Sequence, residues 1–422
     1  MRTEPEVVIV GGGLAGLAAA RTLVAAGVPT LLLEASAAVG GRVATDEVDG
    51  FLLDRGFQVL LDSDPEAQRA LDLRELDLRP FASGALVRRE GRLSRVSDPW
   101  RAPVAGVRSL MSGIFTPADA WRMIRLRHES IASLGGRDAS TDVTTARALI
   151  DRGFSERAVE GFFRPFFAGV FLDARLDAPK HWFEFLFAMF ARGRATLPAT
   201  GMRALPLQLA AMLPPGTVRL SSEVRVARAG SVELTSGEAF APRAVILATD
   251  ARALSTLVPG SRAPAWGGCV TLYYAATRSP VGEPLLVLNG QQGTGPVNHV
   301  CVPSDVAPGY APPGAHLVSA TIIGSPESGD ASLDRDARAQ LTEWFGADAV
   351  RDWRLLRASR VGYALPRVAA RTSADAAVRL RDGLYACGDH LETPSINGAL
   401  RSGRLAAEAL IADWSSRSHA VA

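Results

Sequence analysis

The first twenty residues contain a glycine-rich turn of a kind that binds phosphates. In "VVIVGGGLAGLAAA", residues 7–20, an apolar strand is followed by Gly11, Gly13 and Gly16 in the spacing G-x-G-x-x-G and then by a helix. The first glycine makes a tight turn, the second lets backbone approach a pyrophosphate, and the third packs helix on strand. The helix N-terminus adds free N–H groups and a positive dipole end. The stretch predicts a dinucleotide site and leaves NAD and FAD open.

The next predicted strand ends at an acidic residue that suits the same site. Glu34 can accept hydrogen bonds from ribose hydroxyls, and the segment "LLLEASAAVGGR" continues to Gly40, Gly41 and Arg42. The two glycines allow a second close backbone approach, and the guanidinium can neutralise pyrophosphate. An arginine that only lies at the surface is the alternative for Arg42. The combination favours FAD.

Composition excludes several classes of protein. The 422 residues leave room for two domains, and 47% hydrophobic with 21% charged residues is typical of a soluble globular protein. The net charge of +2 and the absence of any Lys/Arg-rich cluster predict no nucleic-acid partner. Lys180 is the only lysine.

Cysteine and histidine spacing predicts neither a disulfide framework nor a metal site. Cys269, Cys301 and Cys387 are odd in number and far apart, and the six histidines show no ligand spacing. Free cysteines fit a reducing cytoplasm. No apolar run reaches the roughly 18 residues that span a bilayer, and a strand from about Glu6 leaves no room for a signal peptide. We therefore expect a cytoplasmic protein.

Periodicity and turn residues predict an alternation of strands and helices. After the first strand we expect a helix to about Ala26 and a strand over Thr30–Leu33, and residues 65–200 read as mainly helical. Further helices are expected at 118–133, 144–151, 155–163, 180–191, 334–345 and about 396–413, and strands within 218–250, within 268–323 and at "GLYACGD". Dinucleotide-type elements thus occur at the start, middle and end of the chain. This predicts two interleaved domains, one for FAD (1–75, 201–265 and 366–422) and one for substrate (76–200 and 266–365).

Four segments resemble the superfamily of flavin-containing amine oxidases and phytoene desaturases, which includes protoporphyrinogen oxidases. They are the N-terminal turn through "GGR", "GFLLDRGFQVLLDSDPEA", "SSEVRV…AVILATD" and "GLYACGDHLETPSINGALRSGRLAAEAL". The middle helical part matches only loosely. The resemblance implies an α/β fold with a Rossmann-like FAD-binding domain (GR2-type, amine oxidase fold) interleaved with an α+β substrate domain built from a helical insert and a sheet.

The resemblance also implies a set of residues that contact FAD. In the closing segment, Asp389 could bond the ribityl hydroxyls, and Ser395 is a good N-cap for a helix whose positive end would face the flavin pyrimidine edge. Val224 would meet the adenine. The full set is Gly11, Gly13, Leu14, Ala15, Gly16, Glu34, Ala35, Gly40, Gly41, Arg42, Arg55, Gly56, Phe57, Val224, Ala248, Thr249, Gly388, Asp389, Ser395, Ile396 and Ala399.

Two aromatic segments and three single residues are candidates for the substrate site. "GFFRPFFAGVF" (161–171) and "HWFEFLFAMF" (181–190) either pack a core, line an apolar cavity or face a membrane. The resemblance favours the cavity, because this insert forms the family's substrate domain. The catalytic candidates are Phe57, Tyr363 and His390, with Arg55 and Gln58 bordering the same place; packing alone is the alternative for each.

One departure from the family pattern bears on the reaction. Monoamine and polyamine oxidases carry a lysine that holds a water at the flavin, on a strand similar to "WGGCVTLYYAA" here. Gly268 or Cys269 takes its place, and no cysteine occupies the position of covalent flavin attachment. The resemblance therefore implies noncovalent FAD and makes a standard amine oxidase less favoured.

The leading hypothesis is an FAD-dependent oxidoreductase that removes a hydride from an apolar small molecule. A desaturase-like reaction on an isoprenoid or polyene fits, with O2 or a quinone as electron acceptor and a peripheral membrane contact as one route for substrate. The alternatives are a flavin amine oxidase using O2, a redox-neutral flavin isomerase, and a non-enzymatic prenyl-binding escort protein. No oligomeric state follows from the sequence.

Overall fold

Two large sheets organise the fold, and the chain passes between them several times. The computed structural model describes residues 4–110, 112–134, 143–261, 263–291, 293–367 and 378–420. The strands are β1 Val7–Val10, β2 Thr30–Leu33, β3 Thr45–Val48, β4 Phe51–Asp54, β5 Leu60–Leu61, β6 Leu78–Pro80, β7 Gly84–Arg89, β8 Arg92–Ser97, β9 Ala195–Pro198, β10 Val218–Arg219, β11 Val224–Arg228, β12 Ser231–Leu234, β13 Ala239–Phe240, β14 Ala244–Leu247, β15 Trp266–Ala276, β16 Leu286–Asn289, β17 Val297–Cys301, β18 His316–Ile323, β19 Arg354–Pro366, β20 Arg379–Arg381 and β21 Leu384–Ala386.

Helices connect and cover these strands. They are α1 Leu14–Ala25, α2 Pro65–Ala70, α3 Pro103–Leu110, α4 Pro117–Ala132, α5 Thr145–Asp151, α6 Glu156–Ala158, α7 Arg164–Phe171, α8 Lys180–Arg192, α9 Ala204–Ala211, α10 Ala251–Leu257, α11 Pro303–Val306, α12 Asp330–Phe345, α13 Ala347–Val350 and α14 Ile396–Ala420. A π-helical turn covers Val159–Phe163, and short 3-10 turns cover Pro308–Tyr310 and Asp389–Leu391.

The six-stranded sheet has the order β10-β2-β1-β14-β21-β20, and all its pairs are parallel except the one between β20 and β21. Every residue of β1 is buried, as expected for a central parallel strand covered on both faces. Val7 and Ile9 pack with α1 and α14, and Val8 and Val10 pack with the three-stranded sheet β11-β12-β13. The carboxyl ends of β1, β2, β14 and β21 therefore meet at one edge, which we call the carboxyl edge. Ligands of open α/β sheets bind at such an edge.

The seven-stranded sheet has the order β19-β15-β18-β17-β16-β7-β8 and is largely antiparallel. On one face Val270 and Leu272 of β15 pack with Leu341 and Trp344 of α12. Residues on the opposite face alternate with these along each strand. This opposite face, which we call the inner face, includes Thr271 and lies under α7, which contacts β16, β17 and β18.

The strands of the two sheets alternate along the sequence, which confirms the predicted interleaving. Strands of the six-stranded sheet lie in segments 1–75, 201–265 and 366–422, whereas β7, β8 and β15–β19 lie in 76–200 and 266–365, except for Pro366 at the end of β19. The exact domain boundaries stay a prediction. Residues 1–3, 368–377 and 421–422 of the predicted FAD-binding segments lie outside the described residues.

Two local features differ from the sequence prediction. The β7–β8 hairpin lies in a stretch predicted as mainly helical, because its many arginines hide the alternation of apolar residues on either side of the Glu90-Gly91 turn. The helix expected at 155–163 is instead α6, a π turn and α7. Pro165 has no N–H and its ring would clash with the carbonyl four residues back, so an unbroken α-helix cannot continue through it.

A buried carboxylate links the two-stranded sheet β3-β4 to the seven-stranded sheet. Asp54, at the end of β4, accepts hydrogen bonds from Tyr310 Oη (2.8 Å), Thr45 Oγ1 (2.5 Å) and the backbone N–H of Met202 (3.0 Å). Its backbone carbonyl accepts a bond from Tyr273 of β15. Burial raises the pKa of Asp54 from 3.8 to about 6, although the three donors oppose the rise.

Tyr310→Phe is expected to destabilise the protein more at pH 7 than at pH 4. Because the folded-state pKa of Asp54 is raised, its contribution to stability is fully present below pH 3.8 and is lost as pH rises through about 6. The Tyr310 hydroxyl stabilises the ionised form, so its removal should cost about 1–3 kcal/mol at pH 7 and less at pH 4. Urea unfolding at both pH values measures this; an equal loss at both, or the same pH difference in an Asp54→Asn background, contradicts it.

Candidate functional site

The turn after β1 has one open position and two packed ones. Gly11 has φ +111°, and a Cβ there would lie 2.7 Å from the Ala248 carbonyl oxygen. A Cβ on Gly16 would lie 1.9 Å from the Gly11 carbonyl oxygen, so this glycine lets α1 pack against the turn. Gly13 is the N-cap of α1, and a Cβ on it would meet nothing within 4 Å. Backbone N–H groups at the start of α1 are therefore approachable over Gly13.

The second glycine pair lies against this turn. Gly40 donates its N–H to the Gly12 carbonyl oxygen at 2.8 Å and bridges Gly13. A Cβ on Gly41 would have only the Gly13 Cα, at 3.6 Å, as a neighbour. Gly11–Gly13 and Gly40–Gly41 thus form one surface at the carboxyl edge, which we call the glycine-lined surface.

Glu34 closes one end of that surface. Its carboxylate accepts hydrogen bonds from the N–H of Gly12 at 2.6 Å and of Ser36 at 2.8 Å, and Ala35 beside it is exposed. The N–H of Ser222 donates to the Glu34 carbonyl oxygen at 2.8 Å, which brings the segment before Val224 to the same place. Val224 is half-buried against the apolar cluster that contains β1.

Arg42 and Asp389 form an ion pair across the middle of the site. The guanidinium donates to both carboxylate oxygens, at 2.8 and 2.5 Å, and to the Ala364 carbonyl oxygen at 3.0 Å. Asp389 is buried, whereas the Arg42 side chain is 36% exposed. The guanidinium also lies 5.5 Å from the centre of the Trp266 ring. The sequence predicts separate partners for these two residues, whereas the structure pairs them with each other.

The start of α14 faces the same site. Ser395 Oγ accepts from the N–H of Gly398 at 2.9 Å, as the sequence predicts for an N-cap. A Cβ on Gly403 would lie 2.0 Å from the Ala15 carbonyl oxygen, so α14 crosses α1 in close contact. The N-termini of the two helices are thereby held near each other. The other predicted contacts lie in their first turns or just after β14: Leu14, Ala15, Ile396, Ala399, Ala248 and Thr249.

His390 and Gln58 are among the buried side chains whose polar atoms have no hydrogen-bond partner in the described part of the chain. Both ring nitrogens of His390 are buried and unpartnered, and the ring lies directly against Gly388. Burial lowers the pKa of His390, so the ring is neutral at pH 7. Gln58 donates through Nε2 to the carbonyl oxygens of Arg42 and Arg55, but its buried Oε1 has no partner.

These groups fit FAD. The opening over Gly13 and the positive ends of α1 and α14 suit a pyrophosphate and an electron-rich ring. Glu34 and Asp389 supply acceptors for ribose and ribityl hydroxyls. Unpartnered buried polar atoms near Arg42 are the kind of group that a bound ligand satisfies.

Phe57 and Gly56 connect the carboxyl edge to the inner face of the seven-stranded sheet. A Cβ on Gly56 would lie 3.4 Å from the Cys269 Sγ atom. The Phe57 ring lies 6.2 Å from the Phe81 ring and 5.2 Å from the His299 ring. Arg55 points outward, is 53% exposed and lies 3.5 Å from Asp46.

Tyr363 and Lys180 lie outside this contact set. Tyr363 is 49% exposed, with the Arg252 guanidinium 3.6 Å from its ring centre and the Trp266 ring at 5.9 Å. Lys180 Nζ lies 3.7 Å from Glu184 on the same helix. The catalytic role of Tyr363 stays a prediction that these contacts do not support.

The two aromatic segments contain both fully buried phenylalanines, which pack in the core, and half-buried ones. The fully buried members form a ring cluster between α7 and α8: Phe163, Phe167, Phe171 and Phe183. Phe162 and Phe166 stack at 5.8 Å and pack on Val87 and Leu288 of the seven-stranded sheet. All phenylalanines of the two segments are buried or half-buried. A membrane face built from exposed phenylalanines is therefore not what this structure has.

His299 lies beside Phe57, and the sequence did not predict this contact. It lies in "VNHVC", a strand whose apolar neighbours give the histidine no distinguishing spacing.

Over the ranges that the structure describes, no helix is long and apolar enough to cross a bilayer. In the same ranges no group of three or more His, Cys, Asp or Glu residues could hold a metal ion.

Comparison with known proteins identifies a single family. The profile of the family described as "Flavin containing amine oxidoreductase" matches residues 14–411. The putrescine oxidase of Kocuria rosea is 46% identical over 78 residues, which is 18% of this chain and 16% of that enzyme. The carotenoid 3,4-desaturase of Haloarcula japonica is 49% identical over 51 residues, 12% of this chain and 10% of that enzyme. The chain thus matches only a small part of these relatives' length.

Solved structures share the fold over nearly the whole chain. An oxidoreductase from Methanosarcina mazei superposes with a TM-score of 0.75 at 17% identity, covering 95% of this chain and 99% of that one. At this identity the likeness concerns the fold alone. Together with the family match over residues 14–411, it confirms the predicted amine oxidase fold.

Proposed function

Since this chain belongs to the flavin-containing amine oxidoreductase family and is an FAD-dependent oxidoreductase, we propose that it removes a hydride from an apolar organic substrate in a desaturase-like reaction on an isoprenoid or polyene. The observation that carries the proposal is Cys269. Cys269 lies on β15, the strand that resembles the lysine-bearing strand of amine oxidases, and it faces Gly56. A thiol therefore stands where those oxidases have a lysine.

The chain's own residues would hold the cofactor at the carboxyl edge. Gly13 and the α1 N-terminus would bind the pyrophosphate, Glu34 the ribose, and Val224 the adenine. Arg42 and Asp389 would hold the middle of the molecule, and the α14 N-terminus its ring. When bound, FAD supplies the acceptor for the hydride. The resemblance places no cysteine at the family's position of covalent flavin attachment, which supports noncovalent binding.

The residues around Phe57 would orient an apolar substrate and exclude water. Burial raises the pKa of the Cys269 thiol to about 11, so at neutral pH it is an uncharged wall. A lysine there would instead hold a water. Phe57 and Phe81 add aromatic surface. A C–H bond held in such surroundings requires no charged base from the protein.

Amine oxidation with O2 is the second candidate, and the 46% identity with putrescine oxidase over 78 residues favours it. A redox-neutral isomerase and a non-enzymatic prenyl-binding escort remain alternatives; the fit of the carboxyl edge to FAD argues against the escort. O2 or a quinone is the proposed electron acceptor. A peripheral membrane contact, if the substrate needs one, would use exposed Trp121 and Ile124 of α4 (57% and 52% exposed).

Product analysis separates these candidates. Purified protein is incubated with isoprenoid lipid extract and either O2 or a quinone, and products are examined by mass spectrometry. The proposal predicts products that have lost two hydrogen atoms. Products of unchanged mass would show an isomerase, and peroxide formed only with an amine panel would show an amine oxidase; either result contradicts the proposal.

A further inference from the structure

His299 belongs to a row of polar residues on the inner face of the seven-stranded sheet. It pairs in register with Thr321 of β18, which pairs with Thr271 of β15. Cross-strand partners point to the same face. The three residues are 4%, 1% and 0% exposed. Their row lies below the segment that contains Gly56 and Phe57.

The hydrogen bonds of Asn298 fix which ring nitrogen of His299 carries the proton. Asn298 Nδ2 donates to the Pro165 carbonyl oxygen at 2.9 Å, and a carbonyl only accepts, so the amide orientation is set. The second hydrogen of Nδ2 points to His299 Nδ1 at 3.0 Å. Nδ1 is therefore the acceptor, and the neutral ring carries its proton on Nε2.

The Nε2–H group has no hydrogen-bond partner among the described residues, and neither has the Thr321 hydroxyl beside it. A buried donor without an acceptor costs about 1–3 kcal/mol. Burial also lowers the pKa of His299 to about 4, so the ring is neutral at pH 7. If His299 served packing alone, its replacement by an apolar residue would stabilise the protein, because the unpartnered donor would be removed.

The surroundings of the ring are those of a binding surface with one polar point. The Phe57 ring lies 5.2 Å away, and a Cβ on Gly169 of α7 would lie 3.0 Å from Nδ1, so the glycine admits the ring. Along the same row, beyond His299, the face continues with Leu288 and Val87 under Phe162 and Phe166. The His299 ring thus lies between Phe57 and an apolar, aromatic surface.

We propose that His299 positions the substrate by donating its Nε2–H to a carbonyl oxygen on an otherwise apolar molecule. This rests on the proposed function and narrows its substrate class from plain hydrocarbons to carbonyl-bearing isoprenoids or polyenes. His299 acts as a neutral donor and exchanges no proton with the substrate. A carbonyl accepts one such bond and leaves the rest of the molecule to the apolar surface.

Paired ligands test this assignment in the FAD-loaded protein. The probes are isoprenoid aldehydes from citral to all-trans-retinal, each paired with the hydrocarbon in which a methyl group replaces the aldehyde. Binding is followed by perturbation of the flavin spectrum under anaerobic conditions. We expect at least one aldehyde to bind about 10-fold more tightly than its hydrocarbon, as one buried hydrogen bond allows. His299→Leu should abolish that preference, and His299→Gln, which keeps a donor, should restore most of it.

His128→Leu, at an exposed position on α4, is the control and should leave the preference unchanged. Nitrogen-15 NMR of histidine-labelled protein provides a second measurement, with a neutral Nε2–H ring whose signal shifts when the aldehyde binds. The inference is overturned if no aldehyde binds, if His299→Leu weakens aldehyde and hydrocarbon equally (as for a buried water on Nε2), or if the ring is protonated on Nδ1. Failure of the proposed function would look different: aldehydes would still bind preferentially, while only amines reduced the flavin.

Discussion

Gly13→Val is expected to lower the affinity for FAD by about 100-fold or more and to leave the apoprotein folded. The backbone at Gly13 (φ −72°, ψ 179°) is extended and open to any residue, and a Cβ there meets nothing within 4 Å. The added methyl groups would instead occupy the approach to the α1 N–H groups. Loss of two charge-assisted hydrogen bonds accounts for a factor of that size.

Gly329→Val is the matched control. Gly329 is also a helix N-cap with extended backbone (φ −65°, ψ 158°), forms no side-chain cap, and offers open space to an added Cβ, which would meet nothing within 4 Å. Both substitutions should therefore cost similar, small amounts of helix stability. FAD released by heating and the Tm of the apoprotein are measured for each. Retention of FAD by Gly13→Val, or loss of FAD by both variants, contradicts the placement of the pyrophosphate.

Removal of the Arg42–Asp389 pair is expected to lower the affinity for FAD nearly as much as Gly13→Val. Asp389→Ala and Arg42→Ala should each lower the affinity for FAD by about 30- to 100-fold, because each leaves a charged partner misplaced in the site. The two residues share one bidentate contact, so the double variant should lose less than the sum of the single losses, by at least about 1 kcal/mol.

The Arg404–Glu66 pair provides the comparison. It is also bidentate and partly buried, it joins α14 to α2, and neither residue belongs to the predicted FAD contacts. Glu66→Ala and Arg404→Ala should lower the free energy of unfolding but leave the Kd for FAD of the folded protein unchanged. Additive effects of Arg42 and Asp389 on the Kd, or an equal loss of FAD in the control pair, would show that the first pair is only structural.

Local sequence predicted the N-terminal unit closely. Strands β1 and β2 have the predicted bounds, and α1 ends one residue before the expected stop, because the apolar strands, glycine turn and helix formers all act within thirty residues. The Ser395 N-cap was predictable for the same reason. The helix that follows extends to Ala420, beyond the expected end near Asp413.

Contacts between distant segments were not predictable. Arg42 and Asp389 are 347 residues apart, and only the parallel sheet brings their segments together. The role argued for His299 depends on the register of β17 with β18, on Asn298 and on α7 at once. No periodicity in "VNHVC" marks it. The aromatic segments were predicted as a core, a cavity or a membrane face, and their sequence could not assign individual phenylalanines to a side.

Anaerobic reduction of the bound flavin shows directly whether the protein removes a hydride from isoprenoids or from amines. Wild-type protein is mixed without oxygen with carbonyl-bearing isoprenoids, their hydrocarbon counterparts and a panel of mono-, di- and polyamines, and the visible flavin absorption is recorded. We expect one or more isoprenoids to bleach the flavin, fastest with carbonyl-bearing ones, and amines to leave it oxidised. Bleaching by an amine while every isoprenoid leaves the flavin oxidised would contradict it.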